Sequence, residues 1–194
     1  MSKKLRKTSP DKAHAEILQH FLPIQLLPDE DPETHGALRD AILLDLKPGT
    51  PYEHILAEQL VILEWESLRH RRMRDNLIMA EFRRQSIGVF EERKDGWIIE
   101  LFPEPNQSAI DMAFNLVSTN TDRRAEAMQA LEKAQITPSE IVAMAYSAVA
   151  KDLQPHERHI AELEVRRRKL REDFDRLKTA RARPVEEAEL VVEQ

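Results

Sequence analysis

The stretch "IAELEVRRRKLREDFDRLKTAR", residues 160–181, carries the clearest pattern in the chain. Ile160, Leu163, Arg167, Leu170, Phe174, Leu177 and Arg181 follow one another at alternating spacings of three and four, which is the seam of a heptad helix. Most of the seam is apolar, with arginine at its third and last places. Glu164, Arg166, Arg171, Asp173 and Lys178 flank it. Mixed charges beside an apolar seam let a helix choose a charged partner in one register. A helix is therefore predicted over 155–182.

Its natural partner starts at Pro51 and meets no helix breaker before Gly88, which predicts a second long helix over 51–87. The best stripe there reads Val61, Trp65, Leu68, Arg72, Asp75, Met79 and Phe82, apolar at both ends and polar in the middle. That middle lies in "WESLRHRRMRDN", residues 65–76, where four arginines and a histidine crowd out the apolar face. If the two helices run antiparallel, the polar middles meet, and Arg167 faces a layer formed from Glu64, Glu66, Arg72 and Asp75. Such a layer costs stability but can fix register.

Prolines punctuate the remainder. "TPYE" at 50–53, "TPSE" at 137–140 and "QPHE" at 154–157 share one frame. Proline suits the first helical position, and a glutamate two residues later can reach back to a free N–H of the cap. Thr50 and Thr137 are good caps, whereas Gln154 is a poor one, so the third site reads as a start or a kink. "DPET" at 31–34 opens a helix over about 32–46, with Leu38, Ala41, Ile42 and Leu46 on its inner side.

The expected organisation has three parts. Residues 1–30 hold a helix near 10–21 and an extended apolar connector. Residues 31–183 form a single helical domain, with the two long helices and a three-helix insert over 106–153. In that insert Ile110, Ala113, Phe114 and Val117 mark the first apolar face, Met128 and Leu131 the second, and Val142, Tyr146 and Val149 the third. Residues 184–194 form an acidic tail expected to be disordered. Around "RKDG" the chain reads either as a small β-hairpin near 87–102 or as a helix fraying to Arg93 and then irregular chain. The fold class is mainly α, a long antiparallel two-helix coiled-coil arm braced by shorter helices.

Composition narrows the function. The chain has 194 residues, of which 33% are charged and 5% aromatic, a balance suited to solvent-washed helices rather than to a deep pocket. Four glycines leave little for a phosphate-cradling loop. A formal net charge of −6 gives no bulk pull toward nucleic acid or anionic membrane. The absence of cysteine removes disulfides, thiolate metal sites and cysteine nucleophiles. With no apolar run of bilayer length and no signal-like start, a cytoplasmic location is expected.

No catalytic constellation emerges. The serines at 67, 86, 108, 118, 139 and 147 fall in predicted helices or caps, away from any Gly-x-Ser-x-Gly turn. Glu16/His20, His54/Glu58 and Glu66/His70 each offer two ligands at helical spacing, and "HERH" places His156 and His159 three apart. None of these completes a metal set by spacing alone, so neither metal nor cofactor is expected. A helix-turn-helix across 127–149 fails because its reading helix shows no Arg or Lys before Lys151.

Basic residues supply a rival function. Residues 158–183 carry ten Arg or Lys against five Asp or Glu. Arg166, Arg168, Lys169 and Arg171, joined by Arg69, Arg71 and Arg74 of the partner helix, would give one region able to grip phosphates. Against this, Glu164/Arg168 and Glu172/Arg176 fit a solvated face neutralised by pairs four apart.

Leu27, Pro28, Glu30, Asp31, Leu46, Pro48, Glu53, Leu60, Val61, Trp65 and the arginine-rich run Arg69 to Arg74 lie within residues 26–75. This stretch resembles one found in mostly helical bacterial proteins. Those share an acidic Leu-Pro lead-in, a helix ending in Leu-x-Pro, and a second helix with Glu, Leu-Val, Trp and an arginine-rich end. The resemblance implies a helical fold and no particular activity. Together these features predict a non-enzymatic helical interaction protein that binds a protein partner or a second copy of itself. A nucleic-acid-binding factor of mobile-element or phage type is the alternative.

Overall fold

The computed structural model describes residues 24–91 and 106–192, with side chains described as far as 182. Five helices cover most of them: α1 Pro32–Leu46, α2 Pro51–Glu91, α3 Gln107–Asn115, α4 Thr121–Lys133 and α5 Pro138–Val192. No strand occurs among the described residues.

Local chemistry sets each boundary. Asp31 caps α1, its carboxylate accepting the N–H groups of Glu33 and Thr34 at 3.2 and 2.9 Å, with Pro32 as the first helical residue. The helix ends at Lys47, which sits at φ 47° in the left-handed region and donates its N–H to the Leu43 carbonyl. At the start of α2 the Thr50 hydroxyl accepts the Glu53 N–H at 3.2 Å, while the Glu53 carboxylate reaches past the cap to the Gly49 N–H at 2.5 Å. Between α4 and α5, Ile136 N–H returns to Leu131 O and Gln135 N–H to Glu132 O, with Gln135 left-handed at φ 52°. Thr137 and Glu140 then form a reciprocal capping box ahead of α5.

Two expectations change here. The "QPHE" site at 154–157 does not start a helix: α5 passes through Pro155 unbroken, so the expected third helix of the insert and the helix expected over 155–182 are one element. Proline removes one backbone hydrogen bond. Leu153 and Ile160, both buried, anchor the helix on either side of it. The same helix continues to Val192 where a tail was expected after 183. In the hairpin stretch, Val89 and Phe90 are the last turn of α2, and residues 92–105 lie outside the described residues. The helix expected near 10–21 also lies outside them.

The chain divides into two compact units. The first contains the described residues of Met1–Arg69 and of Ile160–Gln194. Its core joins Leu46 of α1, Leu56, Ala57 and Leu60 of α2, and Phe174 of α5, with Ile42, Leu43 and Leu170 against them. Ion pairs at Glu53–Arg181 and Glu64–Arg167 show that the α2 and α5 segments of this unit run antiparallel.

The second unit is His70–His159. Its core joins Phe82 and Val89 of α2, Leu116, Ala127 and Leu131 of α4 and the turn before it, and Ile141 and Ala145 of α5. Ala109 and Ala113 of α3 are also fully covered, and α3 packs on α4. The buried stripes fall beside the expected ones. Phe114, Val117, Met128, Val142 and Tyr146 are exposed, whereas their neighbours Ala113, Leu116, Ala127, Ile141 and Ala145 are inside.

Candidate interaction site

In the first unit, buried carboxylates meet arginines from elsewhere in the chain. Glu30 is covered by its own turn, where Leu27 N–H donates to it at 2.8 Å. Arg69 of α2 approaches it as a fork, Nε and Nη2 at 2.7 and 2.8 Å. The Arg69 hydrogen bonds, the Leu27 amide and the Trp65 indole outweigh burial and hold the Glu30 carboxyl down at about 2. Arg69 also donates to the Gln25 carbonyl, and the pairing raises its own affinity for its proton. Trp65 is 1% exposed and meets the His35 ring edge-on at 4.9 Å.

Two further pairs repeat the theme. Glu58 is buried and takes a forked contact from Arg39. Buried Glu53 takes Arg181 at 3.0 Å, and that guanidinium lies against Gly49, where any Cβ would collide with it.

The predicted polar layer is brought together in part. Arg167 donates to Glu64 at 2.7 Å, which strengthens its hold on its proton. Glu66 is half-buried and contributes a weaker attraction to Arg69. Arg72 and Asp75 belong to the second unit, and Asp75 is exposed and accepts Arg74 at 2.8 Å.

The predicted basic region is redistributed in the same way. Arg69 is engaged by Glu30, and Arg74 by Asp75. Arg71 is half-buried in the second unit. Arg171 makes longer contacts to Asp45 and Asp175, at 3.3 and 3.5 Å. Arg166, Arg168 and Lys169 stand exposed on α5. Beside them a groove of about 560 Å³ is floored by Ile42, Leu46 and Leu60 and walled by Arg167, Arg168 and Arg171, with four carboxylates interleaved.

The second unit holds a cluster that sequence spacing did not assemble. His70 of α2 meets His156 and His159 of α5. The only local signal was the three-residue spacing of the last two; the first arrives through tertiary packing. Among the described residues no group of three or more His, Asp or Glu is placed to hold a metal ion. No described helix is long and apolar enough to cross a membrane. No family model matches the chain, and no curated protein or solved structure matches it.

Proposed function

We propose that the chain is a non-enzymatic helical interaction protein, engaging a protein partner or a second copy of itself through the outer faces of its helices. One observation carries this reading. The second unit leaves Phe114, Val117, Met128, Val142, Met144 and Tyr146 on its surface, with Phe114 52% exposed, although its core is already filled by Phe82, Leu131, Ile141 and their neighbours. Large apolar side chains left at the surface outside a filled core favour burial against another molecule. The charged faces of α2 and α5 would then choose the partner by charge pattern.

A second reading, nucleic-acid binding through an arm built from the same two helices, is favoured by Arg166, Arg168 and Lys169, which project from α5 without a carboxylate partner among the described contacts. One pair of measurements separates the two. Solution mass across a concentration series should rise above the monomer and fall back when Phe114 and Tyr146 are changed to serine. A partner-capture reading survives a constant monomer mass; self-association does not. Titration with duplex DNA at rising salt should show no binding on the first reading and a steep salt slope on the second.

A further inference from the structure

Nδ1 of His70 lies 3.0 Å from Nδ1 of His156, with the ring planes 49° apart. The ring of His159, one turn further along α5, has its centroid 4.3 Å from that of His70. All three are half-buried, so solvent protons reach them. A contact between two Nδ1 atoms imposes a strict proton count. One nitrogen must carry hydrogen and donate; the other must be bare and accept. An imidazolium has N–H on both nitrogens. With both rings charged, two donors and two positive charges would face each other across 3.0 Å.

We infer that His70, His156 and His159 form a proton-operated latch between the α2 and α5 segments of the second unit. The latch is closed when His70 and His156 share one proton across their Nδ1 atoms, and it is opened when both rings are protonated. The closed form binds fewer protons than the open form, so the contact weakens as pH falls through the imidazole range.

Charged neighbours shape the response without supplying it. Within the second unit, the charged residues one turn away along the helices that carry the rings are Arg74 on α2 and Asp152 on α5. Glu157 is turned to another task, accepting the Tyr146 hydroxyl at 2.7 Å, and Asp75 holds Arg74 at 2.8 Å. The core cluster of the same unit consists of hydrophobic side chains that do not titrate near neutrality, so the latch is distinct from general acid unfolding.

Backbone hydrogen exchange on the full chain, corrected for intrinsic rates, tests the proposal in residues 70–90 and 138–159. Between about pH 7.5 and 5.5, protection should fall by up to about tenfold per pH unit, the slope of one extra proton. His156→Phe keeps a ring and removes the titration, so its protection should be level over the same range. His54→Phe, in the first unit, should retain the wild-type step. A level wild-type profile, or the same step in His156→Phe, overturns the latch. Should that variant fail to fold, imidazole nitrogen shifts of the wild-type protein decide. His70 and His156 should titrate as a coupled pair with one Nδ1 protonated at neutral pH; two independent single-site curves overturn the proposal.

Discussion

In the first unit, Glu30, Glu53 and Glu58 are buried and each is met by one arginine, whereas among the described residues of the second unit the only buried polar side chain is Ser86. The first unit combines this with Trp65 and Phe174, two large rings that need shaped cavities. The second closes around Phe82, Leu131 and Ile141 together with Ala109, Ala113, Ala127 and Ala145, uncharged side chains that set fewer constraints on register. A buried carboxylate without its arginine is expensive, so three such pairs penalise every misaligned arrangement of the first unit. Uncharged apolar contacts penalise fewer. One chain thus specifies one unit by buried charge and the other by apolar packing.

The contrast can be broken most severely at Trp65. Trp65→Ala should cost about 3–5 kcal/mol by opening a cavity. Phe114→Ala, on the exposed ring of the second unit, should stay within about 0.5 kcal/mol. Urea unfolding followed by hydrogen exchange, which reports the units separately, would show whether the loss is confined to the first. Glu30→Gln should cost about 2 kcal/mol at neutral pH, because Arg69 loses its counter-charge while remaining largely covered. Its pH signature is sharper. The wild-type carboxyl is lowered from 4.5 to about 2, so its contribution is complete above pH 4.5 and is lost as pH falls toward 2. Stability curves of Glu30→Gln should lack that component over the same window. The smallest effect belongs to Arg167→Leu. Its side chain is 45% exposed and that of Glu64 30%, so the pair resembles a surface bridge, and the change should move stability by less than about 1 kcal/mol. A loss as large as that of Glu30→Gln would class this pair with the buried ones.

The elements were more legible in the sequence than their faces. Asp31-Pro32 and Thr50-Pro51 announced two helix starts because caps act through bonds only two to four residues long. The Glu64–Arg167 contact followed from matching polar interruptions in two stripes. The pairings of Glu30 with Arg69 and of Glu58 with Arg39 were hidden, since a third of the chain is charged and any acid has many basic candidates. The faces of the second unit were displaced for a physical reason. Large apolar residues dominate a hydrophobic pattern, yet here alanine sits inside and Phe114, Met128 and Tyr146 sit outside. Pro155 read as a boundary because proline is unfavourable inside a helix. Buried neighbours on both sides override that local preference. Glu30, Glu53, Trp65 and Arg69 serve here to hold the first unit together.

The loop before α2 also bears on the order of folding. The Glu53 bond to Gly49 N–H spans four residues and can form as soon as the helix nucleates, while Arg181 arrives from 128 residues away. Contacts of such long separation form late, because closing the intervening chain is entropically costly. The bare Cα of Gly49 therefore keeps a berth open for a side chain that has yet to dock. A methyl group at that one position would push the Arg181 guanidinium aside while leaving the early helix cap free to form.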